Sequence, residues 1–128
     1  MGRSDYLNMT MRPQNHASDI FDVSLHDFDE KVIAASRQRP VLVDLWAEWC
    51  SPCIVIAPIL KQVIESLDGA VALAKVEVDE GENMKLAGRY KVRGFPTVIL
   101  FRDGEEQGRF SGARPASFIE NFIHEHGG

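Results

Sequence analysis

Residues 49 to 53 read Trp-Cys-Ser-Pro-Cys, and Cys50 and Cys53 are the only cysteines in a chain of 128 residues. A pair at this spacing serves one of three chemistries: a structural cross-link, half of a metal site, or a reversible dithiol–disulfide couple. A cross-link closing so short a loop constrains little of the unfolded chain, contributing about 2 kcal/mol against roughly 3 for a fifteen-residue loop. With 45% apolar residues the chain can bury a core without one. Tetrahedral zinc needs four ligands. His16, His26, His124 and His126 lie far from the cysteines toward either end, and there is no second CxxC, so no metal site is expected. Redox exchange needs only what is present, one thiolate to attack and a second thiol close enough to resolve the mixed disulfide.

The flanking residues say where such a couple would sit. PVLVDLWA, residues 40 to 47, is an apolar run broken only by Asp44, and it predicts a strand buried on both faces of a sheet. After the cysteines, Ile56, Ile59, Leu60, Val63, Ile64 and Leu67 recur at helical spacing, with Gly69 where a C-terminal cap belongs. Pro52 falls in the first turn, where its missing N–H costs nothing, whereas Pro58 lies mid-helix and predicts a kink. Cys50 is thereby placed at the N-terminus of a helix leaving the carboxyl end of a central strand. Open α/β sheets carry their chemistry there.

Residues 1–17 are polar and aperiodic and are expected to form a disordered arm, with a single domain over 18–128. SDIFDV predicts a short strand, and Ser24 can cap a helix over roughly 25 to 37 with Phe28, Val32 and Ile33 inward. AVALAKVEVD (70–79) reads as a second buried strand, and residues 82–90 as a short helix. PTVILF (96–101) and EEQGRFSG (105–112) flank Asp103-Gly104, a hairpin signal. Pro115 opens a last helix holding Phe118, Ile119, Phe122 and Ile123. The order βαβαβαββα predicts an α/β fold, a central mixed five-stranded sheet flanked by helices on both faces. A net charge of −5 offers no electrostatic footprint for nucleic acid or an anionic membrane. No apolar run approaches the ~20 residues of a membrane span. The first twenty residues lack a signal-peptide core, so a cytosolic location is expected, where transient disulfides are usually catalytic.

VLVDLWAEWCSPC, IAPIL, KVEVD, VRGFPTVILFRDG and SGA, in that order over about residues 18 to 126, resemble the thioredoxin family. The resemblance implies a thioredoxin fold and a monomeric thiol–disulfide oxidoreductase that needs no cofactor of its own. It implies disulfide-containing client proteins as substrates and recharging by an NADPH-dependent thioredoxin reductase. Cys50 would be the attacking thiolate and Cys53 the shielded resolving thiol. Asp44 would accept the Cys53 proton, with Lys75 on the next strand modulating its charge. Taken as residues alone, Asp44 is also readable as a hydrogen-bonded core polar group and Lys75 as a side chain snorkelling off a strand end. Phe95-Pro96-Thr97 resembles the segment packed opposite the cysteines with a cis proline, although Pro96 alone would read as a trans proline at a strand start. Such a bend leaves the Phe95 backbone free to pair with an extended client. Trp49, Ser51, Pro52, Ile54, Phe95, Gly112 and Ala113 would line the client groove, with Trp46 packed beneath.

Two positions depart from the family pattern. Ser51 replaces the usual glycine and adds a hydroxyl beside the attacking sulfur. Ile54 replaces a common lysine, removing a cation and exposing an apolar side chain. These leave an alternative open, a thioredoxin-like binding module or co-chaperone with incidental redox activity. An oxidase or isomerase of an oxidising compartment is weakened by the missing signal.

Overall fold

The computed structural model describes residues 19–127, so the expected N-terminal arm and its boundary lie outside the described residues. Its centre is β2 (Val41–Trp46), buried from Val41 through Leu45. Around it stand β1 (Ile20–Asp22), β3 (Ala72–Glu77), β4 (Thr97–Arg102) and β5 (Glu105–Ser111), in the order β1-β3-β2-β4-β5. β1, β3 and β2 are parallel, while β4 runs antiparallel to β2 and β5 antiparallel to β4. The helices are α1 (Ser51–Ser66), α2 (Met84–Arg89) and α3 (Ala116–His126). One face of the sheet packs Val43, Leu45 and Phe101 with Phe28, Val32 and Leu86. The other packs Leu42, Leu73 and Leu100 with Ile56, Leu60 and Ile64 of α1 and Ile119 and Phe122 of α3. Burial on both faces is why β2 reads as a continuous apolar run instead of an alternating one. Among the described residues no helix is long and apolar enough to cross a membrane.

The first helix departs from expectation. Residues 25–27 are a turn, and the chain then winds as a π-helix over Asp29–Ala34 and a 3₁₀ turn over Ala35–Arg37. Ser24 caps the turn that precedes this winding: its hydroxyl oxygen accepts from the His26 N–H at 3.3 Å, while its N–H and hydroxyl donate to the Asp27 carboxylate at 2.8 and 3.2 Å. The other boundaries fall within a few residues of expectation, and α1 continues as one helix through Pro58. Asp103 (φ 56°) and Gly104 (φ 83°) are both left-handed, the backbone of a tight two-residue hairpin.

At the reactive end, buried Asn83 ties two loops together. Its Oδ1 accepts from the Leu25 N–H at 2.9 Å and its Nδ2 donates to the Glu77 carbonyl at 3.0 Å. At the opposite end, buried Ser36 performs a comparable task for the hairpin. Its hydroxyl donates to the Ile33 carbonyl (2.7 Å) and accepts from the Gly104 N–H (2.8 Å). Its carbonyl accepts from the Asp103 N–H at 2.9 Å. Removing the hydroxyl orphans the partly buried Gly104 donor, which costs about 1–3 kcal/mol. Ser36→Ala is therefore expected to lower the urea midpoint by that equivalent without changing the m-value, measured by equilibrium unfolding.

Candidate active site

β2 ends at Trp46, the chain turns over residues 47–49, and Cys50 takes the N-cap of α1 with extended backbone (φ −98°, ψ 104°). The Cys50 carbonyl accepts from the Cys53 and Ile54 N–H groups at 3.1 and 3.2 Å, and the Cys53 N–H also reaches Cys50 Sγ at 3.2 Å. Cys50 and Cys53 are joined as a disulfide, with Cα atoms 5.3 Å apart. Cys50 is 5% exposed and Cys53 1%, so an incoming sulfur meets Cys50 first. Free N–H groups and the dipole at a helix N-terminus stabilise an anion by about 0.3–1 kcal/mol, and up to ~2 when partly buried. In the reduced protein that stabilisation falls on the Cys50 sulfur.

Asp44 is buried, and neither carboxylate oxygen has a hydrogen-bond partner among the described residues. The hydrogen-bonded core reading is therefore not met. Burial pushes its pKa up to about 6, and the nearby Lys75 charge opposes that rise. Asp44 and Lys75 stand directly opposite one another in the parallel β2–β3 register. Lys75 Nζ lies 5.2 Å from the ring centroid of Trp46, which is half-buried and whose Nε1 has no hydrogen-bond partner among the described residues.

The Phe95–Pro96 bond is cis. The Pro96 carbonyl accepts from the Gly112 N–H at 3.0 Å, and the Thr97 hydroxyl donates to the Gly94 carbonyl at 2.6 Å, which fixes the bend from two sides. Gly112 (φ 82°) turns the chain where a side chain would be strained. Phe95 makes no backbone hydrogen bond among the described residues, so its main chain is available to an extended partner. Trp49 is 66% exposed and meets Phe95 edge-on, with centroids 6.0 Å apart. Ser51, Pro52, Ile54 and Ala113 are also exposed, whereas Gly112 and Phe95 are half-buried.

The expected residues thus cluster at the carboxyl end of β2. Sequence reasoning missed Asp79, whose Oδ2 accepts from the Trp49 indole N–H at 2.6 Å. A signal was available: parallel β2 and β3 end together, so the residues following β3 return beside the turn that follows β2.

The thioredoxin family profile matches residues 19–125. The chain is 39% identical over 116 residues to the Caenorhabditis elegans protein named probable thioredoxin-2, covering 90% of this chain and 77% of the relative. It is 39% identical over 108 residues to the thioredoxin of Pseudomonas aeruginosa, covering 84% and 94%. With the thioredoxin of Rickettsia bellii it shares 41% identity over 91 residues, covering 71% and 80%. Kinship over nearly the whole described span, together with a disulfide seated in the first turn of α1, leads to one conclusion: the chain belongs to the thioredoxin family and is a thiol–disulfide oxidoreductase of the protein-disulfide reductase type.

Proposed function

We propose that Cys50 is the nucleophile and Cys53 the resolving thiol, and the observation that carries this is the Cys53 N–H directed at Cys50 Sγ on the N-cap of α1. The reduced protein attacks a client disulfide through the Cys50 thiolate, forming a Cys50–client mixed disulfide and expelling one client thiolate. Cys53 passes its proton to the Asp44 carboxylate and attacks Cys50 Sγ. The Cys50–Cys53 bond forms, the second client thiolate leaves, and two electrons have moved to the client. Lys75 biases Asp44 toward its ionised form, and Phe95, Gly112 and Ala113 hold the client beside Pro96. A disulfide reductase from an NADPH-dependent thioredoxin reductase system suits the regeneration step, in a cytosolic, monomeric protein. An intact cysteine pair within the family match does not favour the binding-module alternative.

Cys50→Ser is expected to abolish insulin reduction in a turbidity assay. Cys53→Ser is expected to accumulate mixed disulfides visible on non-reducing gels. Full activity in Cys50→Ser would overturn the nucleophile assignment.

Asp44 makes a separate, pH-resolved prediction. Its folded pKa, about 6, lies above its unfolded value near 3.9, so the fold holds this proton more tightly than the unfolded chain does. Its stabilising contribution is complete below about pH 4 and is lost as pH rises toward 6, a loss of about 2–3 kcal/mol at 1.36 kcal/mol per unit. In urea titrations of the oxidised protein, Asp44→Asn is expected to be the more stable by that amount at pH 7–8, with the gap closing toward pH 4. The same substitution should slow resolution near neutral pH. A stability gap independent of pH would exclude Asp44 as the titrating group.

The reduction potential is expected near the value established for thioredoxin, about −270 mV, and far from the roughly −120 mV of a strong oxidant. A Ser51 hydrogen bond to the thiolate is worth at most about 1.5–3 kcal/mol, or roughly 30–65 mV, too little to span that ~150 mV gap. Loss of a lysine at Ile54 acts in the opposite direction. Equilibration with glutathione buffers measures it, and a value above about −180 mV would place the protein among isomerases.

A further inference from the structure

The dipeptide Asp-Gly occurs twice among the described residues, at Asp68-Gly69 and at Asp103-Gly104. Both aspartates are exposed, and all four residues have positive φ, 52° and 92° in the first pair and 56° and 83° in the second. The dipeptide carries a reaction of its own. The glycine nitrogen can attack the carboxyl carbon of the preceding side chain, since closing that bond makes a five-membered ring and no Cβ shields the nitrogen. In a folded chain the reaction needs a free glycine N–H and a turn with room to close.

The two pairs differ on both counts. The Gly104 N–H donates to the Ser36 hydroxyl at 2.8 Å, and the Asp103 N–H donates to the Ser36 carbonyl at 2.9 Å. The Arg37 guanidinium covers that turn, 2.7 Å from where a Gly104 Cβ would stand. Asp68-Gly69 lies in the turn between α1 and β3 and has no such cover. The Gly69 N–H and the Asp68 carboxylate have no hydrogen-bond partner among the described residues, and no atom lies within 4 Å of where a Gly69 Cβ would stand. Only the Gly69 carbonyl is held, accepting from Arg39 Nη1 at 2.9 Å.

We infer that Asp68-Gly69 is a site of spontaneous isoaspartate formation, and that Ser36 and Arg37 guard Asp103-Gly104 against the same modification. The Gly69 nitrogen loses its proton and bonds to Asp68 Cγ, whose hydroxyl leaves as water, giving a succinimide. Water then opens the ring. Breaking the bond from nitrogen to Cγ restores aspartate. Breaking the bond from nitrogen to the main-chain carbonyl carbon instead routes the backbone through Cβ and Cγ and frees the α-carboxylate. One water leaves and one returns, so no oxidant or reductant is needed. The product carries one extra backbone carbon between α1 and β3. That shifts the Gly69 carbonyl relative to Arg39, whose guanidinium also holds Asp19 just ahead of β1, at 2.7 Å. The sixteen residues of α1 put about 24 Å between this turn and the cysteines, so disulfide exchange is left unaltered.

The test ages the oxidised protein for several weeks in warm, mildly acidic buffer, where the carboxyl is partly neutral and hydroxide leaves readily. Isoaspartate is then located by peptide mapping and by methyl labelling with an isoaspartyl carboxyl methyltransferase. Asp68 is expected to convert faster than Asp103 by about tenfold or more, because the Ser36 bonds must open before Gly104 can react. Asp68→Asn should reach the same isoaspartyl product sooner, with loss of ammonia, and Asp68→Ser should leave that peptide unlabelled. Ser36→Ala should raise the Asp103 rate several-fold while leaving the Asp68 rate where it was. Insulin reduction by the aged protein should match that of fresh protein. In the urea-unfolded chain both sites should react at similar rates; a tenfold lead for Asp68 kept in urea would assign it to local sequence and overturn the guard. Equal labelling of the two sites in the folded protein, or labelling of neither, would overturn the inference outright.

Discussion

Covering β2 on both faces with helices is the constraint on which the reactive end depends. β3 follows β2 in the chain and lies parallel to it, so the connection between them must be a crossover, and that crossover is α1. The crossover helix must begin where the strand ends, so its unpaired N–H groups gather at the carboxyl edge of the sheet. Cys50 sits in that junction, and the Cys53 amide lies on its sulfur. The same enclosure removes water from Asp44 and leaves it Lys75 as its charged neighbour in register. Thiolate stabilisation and a carboxyl near neutral pKa are thus two results of one burial.

The surface proposed to receive the client is held by contacts of a different kind. Trp49 projects into solvent, yet its indole is tied to Asp79 and its ring rests edge-on against Phe95. A large exposed aromatic kept in one orientation gives up little further freedom when a partner covers it. The cis Phe95–Pro96 bend is likewise fixed through Gly112 and Thr97 before any client arrives.

Much of this was legible in the residues because the local and global signals agree. VLVDLW reads as a two-faced strand, Asp103-Gly104 carries a hairpin signal, and the cysteines stand at the start of the helical period that follows the strand; the structure has all three. The first helix differs in its winding: Ser24 closes the turn over residues 25–27 through Asp27 and the His26 N–H, and the chain then runs as a π-helix and a 3₁₀ turn, which the apolar period does not distinguish from an α-helix. Asp79 and Asn83 were not singled out, since their importance comes from which loops meet in space. Nothing in either residue's immediate neighbours records that meeting. The state of Pro96 was legible only through family resemblance, because a proline opening a strand is ordinarily trans.

The Ser36 latch to the β4–β5 hairpin has a consequence for how this molecule can change. Together with the Arg39 contacts to Asp19 and the Gly69 carbonyl, at 2.7 and 2.9 Å, it secures the edge of the sheet farthest from the sulfurs. Contributions from well-separated sites add nearly independently. Heat tolerance can therefore drift through substitutions at one pole while electron-transfer behaviour is selected at the other. A lineage, or an engineer, can move the two properties on separate axes.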